Sequence, residues 1–134
     1  MTTIITLITV TALTLAGVWW FTVKVDADFA TEATLEYHCN GKDISVKITD
    51  ESDIATLKQL LRGNTFGDSP SCGFDTAVSI TMSNGERSRV FCPALDGCSL
   101  VRIGDSNRYI AITDEARSQL DTLFHKYGAT FPCI

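Results

Sequence analysis

The chain has 134 residues, a formal net charge of −5 and 45% apolar residues, which leaves room for one domain and a short extension. Its eleven Lys and Arg residues stand singly between Lys24 and Lys126, so the clustered cations that neutralise phosphates are missing and nucleic acid is excluded as a partner. The same scatter argues against a polybasic hold on anionic lipid. A membrane, if this protein meets one, is met through the N-terminus.

From Ile4 to Val23 the chain runs IITLITVTALTLAGVWWFTV, twenty residues without a charge. As a helix that stretch spans about 30 Å, the thickness of the hydrocarbon core of a bilayer. Trp19, Trp20 and Phe21 cluster at one end, where such rings favour the headgroup boundary, and Lys24 is the first cation. Residues 1–26 are therefore expected to be a transmembrane anchor or a signal segment. Val25-Asp26-Ala27 offers a small residue for cleavage, but the stretch exceeds the roughly 7–15 apolar residues of a secretory signal, which favours an uncleaved anchor. The positive-inside rule alone would leave the C-terminal part in the cytoplasm. Five cysteines in so small a domain outweigh it and place the domain outside the cytoplasm, where thiols oxidise; if the segment is cleaved, the domain is secreted.

Residues 27–33, acidic with small apolar interruptions, read as a spacer, and residues 34–134 as the folded domain. Leu35, Tyr37 and Cys39 alternate with polar residues; Asn40-Gly41 supplies a turn; Ile44, Val46 and Ile48 alternate in return, which makes a hairpin with one apolar face. Thr49-Asp50-Glu51-Ser52 then caps a helix carrying Ile54, Leu57, Leu60 and Leu61 on one face, with Gly63 as its stop. Asn64 to Thr76 reads as a loop. Val78, Ile80 and Met82 begin a second hairpin that turns at Asn84-Gly85 and returns over Glu86 to Cys92. Ser99, Val101 and Ile103, then Tyr109 to Ile112, give a fifth and a sixth strand. Thr113-Asp114-Glu115 caps a last helix whose Ala116, Leu120, Leu123 and Tyr127 form a stripe ending before Gly128. The order ββα-ββββα predicts an α+β domain, an antiparallel sheet of about six strands packed on two helices and preceded by the N-terminal apolar helix. The similarity of Ile48-Thr49-Asp50-Glu51 to Ile112-Thr113-Asp114-Glu115 reads as two uses of one capping chemistry rather than a repeat.

The cysteines are Cys39, Cys72, Cys92, Cys98 and Cys133, an odd number, so one is left without an intrachain partner. Cys39, on the apolar face with Leu35 and Tyr37, is the expected free one. A five-residue loop from Pro93 to Gly97 would set Cys92 opposite Cys98 across a hairpin. Cys72 would then join Cys133 and close a loop worth on the order of 4 kcal/mol in the chain-entropy account. Sequence alone leaves the other connectivities open.

Metal and redox chemistry fit these residues less well. Cys92 and Cys98 stand further apart than the roughly two to four residues of a zinc knuckle, and His38 and His125 share no ligand spacing. There is no C-x-x-C pair and no basic neighbour that would activate a thiol. Gly67-Asp68-Ser69 and Gly104-Asp105-Ser106 suggest nucleophile turns, but neither comes with a base, a group to orient it and an oxyanion site. No catalytic residue, metal ligand or cofactor is predicted.

Ser69-Pro70-Ser71-Cys72-Gly73-Phe74, Phe91-Cys92-Pro93-Ala94-Leu95-Asp96-Gly97-Cys98 and Phe131-Pro132-Cys133 resemble motifs of a group of small, uncharacterised bacterial proteins with an N-terminal apolar segment. The resemblance runs from about Ile44 to the C-terminus, leaves Cys39 outside, and implies bacterial origin and export but no activity. The leading expectation is a non-enzymatic binding or regulatory module, tethered to the cell membrane through its N-terminal segment and engaging a protein partner. Its recognition surface would be the loops carrying Asp68, Phe74, Leu95 and Asp96, since loops fixed on a scaffold commonly carry recognition. The alternatives are a thiol- or metal-dependent enzyme built from Cys72, Cys92, Cys98 and His125, and an immunity or inhibitor protein.

Overall fold

A computed structural model describes residues 23–67 and 70–133. The expected anchor or signal segment lies almost wholly outside the described residues. Among the described residues, no helix is long and apolar enough to cross a membrane.

In chain order the elements are β1 (Lys24–Val25), β2 (Glu32–Cys39), β3 (Lys42–Ile48), α1 (Glu51–Leu60), β4 (Gly63–Gly67), β5 (Val78–Ser83), β6 (Ser88–Pro93), β7 (Leu100–Ile103), β8 (Arg108–Ala111) and α2 (Asp114–Lys126). The strands form one eight-stranded sheet in the order β1-β4-β8-β7-β6-β5-β2-β3, and all neighbouring strands are antiparallel. The α+β class and the two helices stand; the expected six strands in ββα-ββββα order are corrected to eight. Of the two added strands, β4 (GNTFG) lies in the stretch expected to be loop and has no apolar alternation to announce it. Pairing of Thr65 with Ile110 and Phe66 with Tyr109 makes it a strand, a case of tertiary context overriding local propensity. The other, β1, exists only because Lys24 and Val25 pair with Asn64 and Gly63.

Alternation works as the sequence implies. Leu35 and Tyr37 on β2, Val78, Ile80 and Met82 on β5, Phe91 on β6 and Val101 on β7 are buried, and they join Ile54, Leu57, Leu60, Leu120, Leu123 and Phe124 from the helices in one core. The β2–β3 turn has left-handed backbone at both Asn40 (φ 53°) and Gly41 (φ 73°), the conformation a two-residue hairpin turn needs. Asp50 caps α1 by accepting from the Asp53 N–H, and Thr113 caps α2 by accepting from the Ala116 N–H. Gly63 does not stop α1, which ends at a Leu61 cap; it opens β4 instead. On α2 the buried stripe is Arg117, Leu120, Leu123 and Phe124, displaced from the expected one.

The sheet must curl. Val25 and Glu32 sit on strands six neighbour-steps apart in the sheet order, about 29 Å if the sheet were flat. The seven residue steps between them reach at most about 25 Å, and a turn shortens that link further through Ala30 N–H donating to Ala27 O at 3.0 Å. The stretch expected to be a spacer is therefore part of the core: Ala27, Ala30 and Ala33 are fully buried. Their small side chains suit a chain crossing the mouth of a curled sheet. Arg89 Nη1 donates to Asp26 O at 2.7 Å, and the Arg87 guanidinium lies 4.5 Å over the Phe29 ring, which fixes the crossing from outside.

Beyond α2 the chain returns to the first hairpin. Tyr37 Oη donates to Thr130 O, Asn40 Nδ2 to Pro132 O and Lys42 Nζ to Gly128 O. Phe131 packs edge-on against Tyr37 and Phe124, and Cys39 is bonded to Cys133. The helices are joined through Asp53 on α1, whose carboxylate accepts from Lys126 Nζ at 2.7 Å and from Tyr127 Oη. Those two donors hold the Asp53 carboxyl below its ordinary range, while burial first and the Asp53 bond second push Tyr127 up to about 12.

A carboxylate whose pKa is lower folded than unfolded adds stability that is fully present above the unfolded value and is lost as pH falls through the folded one. Asp53→Asn should therefore lower stability at neutral pH and flatten the loss of stability between about pH 5 and pH 2, as measured by denaturant titration across that range.

Candidate functional site

Two connections far apart in sequence are bonded to each other. One links β4 to β5, the other β6 to β7. Cys72 in the first is bonded to Cys98 in the second, with 6.3 Å between their Cα atoms. Leu95 N–H donates to Gly73 O at 2.8 Å, and Leu95 O accepts from Cys133 N–H at 2.7 Å. Leu95 thus joins both loops to the C-terminal segment. The helix side of the protein holds the same point: Arg117 Nη1 donates to Cys98 O at 3.0 Å, its Nε to Asp121, and its guanidinium lies 4.6 Å from the Phe131 ring centre.

Beneath the loops runs a row of side chains one position out of phase with the core. Cys92 faces Arg102, Arg102 faces Tyr109 and Tyr109 faces Phe66, across β6, β7, β8 and β4. Phe74, from the stapled loop, packs on Tyr109 with ring centres 5.1 Å apart and lies 5.9 Å from the Arg102 guanidinium. Phe66 covers the other flank of Tyr109 at 5.9 Å. The loop therefore does not hang in solvent; it roofs a second, smaller apolar layer. Phe74 is half-buried in that layer, Leu95 is half-buried against the main core and Asp96 is exposed, with Asp96 Oδ1 accepting from Cys98 N–H at 3.3 Å.

The cysteine pairing expected from sequence is corrected in both bonds. Cys39 pairs with Cys133 and Cys72 with Cys98, and the free thiol is Cys92 rather than Cys39. The physical reason is register. The expected loop of residues 93–97 would put Cys98 opposite Cys92, but β6 continues through Pro93, which pairs with Val101, so Cys92 faces Arg102. Cys98 is left in the connecting loop, within reach of Cys72. Cys39 does lie on the inward face, but at the strand end where residues 129–133 pass, 6.0 Å from Cys133 between Cα atoms. The Cys92 thiol is fully buried, points at Gly104 O at 3.6 Å, and is pushed up in pKa, by burial above all.

Of the residues proposed from sequence as a recognition surface, Phe74 lies in one of the two bonded loops and Leu95 and Asp96 in the other. Asp68 lies outside the described residues. The set Cys72, Cys92, Cys98 and His125 does not converge: His125 is exposed on α2 and lines a separate cleft of about 300 Å³ with Ser118, Asp121, Thr130 and Phe131. One group among the described residues has metal-ligand proximity, Cys72, Asp96 and Cys98, with ligand atoms within 4.8 Å of one another; as a disulfide its two sulfurs carry no thiolate to bind with. Sequence reasoning missed Phe66, Arg102 and Tyr109. The available signal was Phe91-Cys92 and Tyr109-Ile110, consecutive apolar residues in strands, which mark a sheet covered on both faces. Compared with protein families, with curated proteins and with solved structures, the chain matches none.

The Cys72–Cys98 bond closes a span of 26 residues, worth about 3 to 4 kcal/mol in the chain-entropy account. Cys72→Ala/Cys98→Ala should lower stability by about that amount in denaturant titration. The same change should expose Cys92 to iodoacetamide under native conditions, whereas in the parent protein Cys92 reacts only on unfolding.

Proposed function

We propose that this protein is a membrane-tethered, extracytoplasmic binding module of non-enzymatic kind, and that it engages a protein partner through the surface formed by Phe74, Leu95 and Asp96. The observation that supports it best is the joining of two sequence-distant loops at one point, by the Cys72–Cys98 bond and by Leu95 N–H donating to Gly73 O. Loops rigidified before binding lose little entropy on binding, which favours recognition by a preformed surface. Disulfides fit a domain outside the cytoplasm, and the uncharged stretch from Ile4 to Val23 supplies the tether. The chemistry of the surface, an aliphatic and an aromatic group beside an exposed carboxylate, suits a partner presenting a small apolar knob next to a cation.

A photo-crosslinking amino acid at Asp96, with a second version at Gln119 on the exposed side of α2, tests this in intact cells that express the full chain. Position 96 is expected to give one discrete adduct of higher mass that disappears in Phe74→Ala, and position 119 none. Adducts at both positions alike, or none at 96, would count against the assignment.

A further inference from the structure

One edge of the sheet is β1, only two residues long; the other is β3, seven residues from Lys42 to Ile48. Antiparallel strands alternate the residues whose backbone groups bond a given neighbour. In the β2–β3 hairpin Cys39 pairs with Lys42 next to the two-residue turn, so Lys42, Ile44, Val46 and Ile48 bond inward to β2. On its far side β2 uses the other set, as His38 N–H donating to Ala77 O confirms. The N–H and C=O groups of Asp43, Ser45 and Lys47 consequently point away from the sheet, and among the described residues β3 has no strand neighbour but β2. Edges of this length are normally blunted, since they template pairing with another chain.

The side chains on this edge repeat with opposite charge about their centre. Reading Lys42-Asp43-Ile44-Ser45-Val46-Lys47-Ile48 against itself in antiparallel sense, with Ser45 on the axis, sets Asp43 against Lys47 of the second copy and Ile44 against Val46. The three residues with outward backbone groups then meet only each other, which is the parity a hydrogen-bonded ladder needs. Among the other registers of the same parity, an axis through Asp43 or Lys47 sets like charges directly opposite, which is destabilising, and an axis through Ile44 or Val46 leaves Asp43 or Lys47 opposite the neutral Ser45, so the Ser45 axis is the one that matches both charges. Ile44 and Val46 are half-buried and Asp43, Ser45 and Lys47 exposed, so pairing would bury apolar surface on one face and match charges on the other. On the charged face Asp43 already bonds His38, Lys47 bonds Glu32 and Ser45 Oγ donates to Glu36; a second copy would join the two clusters into one network.

We propose that β3 is a self-association edge, at which two copies of this chain pair their β3 strands antiparallel about a two-fold axis through Ser45 and continue the sheet from one protomer into the other. An isologous contact of this kind closes at the dimer and does not propagate. The inference is independent of the loop surface proposed above, which lies over β7 and β8 rather than at the β3 edge.

The test uses the full chain in its membrane. Ser45→Cys places two thiols across the axis with Cα atoms about 5.5 Å apart, within disulfide range, and mild oxidation is read as covalent dimer on a non-reducing gel. The yield is expected to exceed that of Ser118→Cys, exposed on α2, by about tenfold or more. In the Ser45→Cys background, Asp43→Lys alone and Lys47→Asp alone should each cut the yield by about tenfold, and the two together should restore it. Within one chain the double swap is unfavourable, since it faces a lysine toward His38 and an aspartate toward Glu32, so recovery reports on the contact between copies. Both side chains are largely exposed, 89% at Asp43 and 61% at Lys47, which keeps the fold out of the comparison. Dimer no more abundant from position 45 than from position 118, or a double swap as poor as the single changes, would overturn the proposal.

Discussion

Which distant parts of this chain touch is decided by two covalent bonds. Cys39–Cys133 holds the C-terminal segment against the first hairpin across 94 residues, and Cys72–Cys98 holds the longest loop against the turn between β6 and β7. Neither bond acts alone. The first is flanked by three side-chain hydrogen bonds from Tyr37, Asn40 and Lys42 to backbone carbonyls of residues 128–132. The second is flanked by the Leu95 to Gly73 backbone bond and by Arg117, which reaches Cys98 O from the helix side. A domain of this size buries a modest core, and cross-links that restrict the unfolded chain supplement it. They also bear on the candidate site, because Cys72–Cys98 adds a covalent tie to the Leu95–Gly73 backbone bond and the ring contacts with Tyr109 and Arg102 that hold the Phe74 loop.

The curl of the sheet is the second determinant. A short link from β1 to β2 cannot span a flat sheet of this order, so the sheet closes toward itself and the alanines of residues 27–33 line the crossing. Curling separates an inner surface, filled by the core and both helices, from an outer one, where Cys92, Arg102, Tyr109 and Phe66 form a row that needs its own cover. The stapled loop provides that cover. Fold and site are thus consequences of one arrangement. Among the described residues the β3 edge, at the far end of the strand order, has no strand beyond it.

What the sequence made legible was local chemistry. Alternation at Leu35 and Tyr37, the Asn40-Gly41 turn, the Asp50 and Thr113 caps and the stripe through Leu120 and Leu123 depend on neighbours within a few residues, and each appears where its pattern placed it. The two loops named from sequence are bonded to each other in the fold, by Cys72–Cys98 and by Leu95 N–H donating to Gly73 O. Features that depend on tertiary path were not legible. β4 has no alternating pattern and becomes a strand through β8; the 27–33 stretch looks like a spacer until the curl demands small buried residues; the cysteine pairing turns on whether β6 ends at Cys92 or one residue later at Pro93. The partner of Cys92 is Arg102, four residues beyond Cys98, and that shift of register leaves Cys98 in the loop beside Cys72. The aromatic row was hidden for a related reason, because its cover comes from a loop with no periodicity.

The joining of the two loops and the contact of the C-terminal segment with the first hairpin both rest on the cysteine pairing. The most direct measurement is a proteolytic map of the unreduced full chain isolated from cells, with free thiols alkylated after denaturation. The account predicts linked peptides joining Cys39 to Cys133 and Cys72 to Cys98, with the alkyl group on Cys92. A Cys92–Cys98 peptide, or alkylation of all five cysteines, would contradict it.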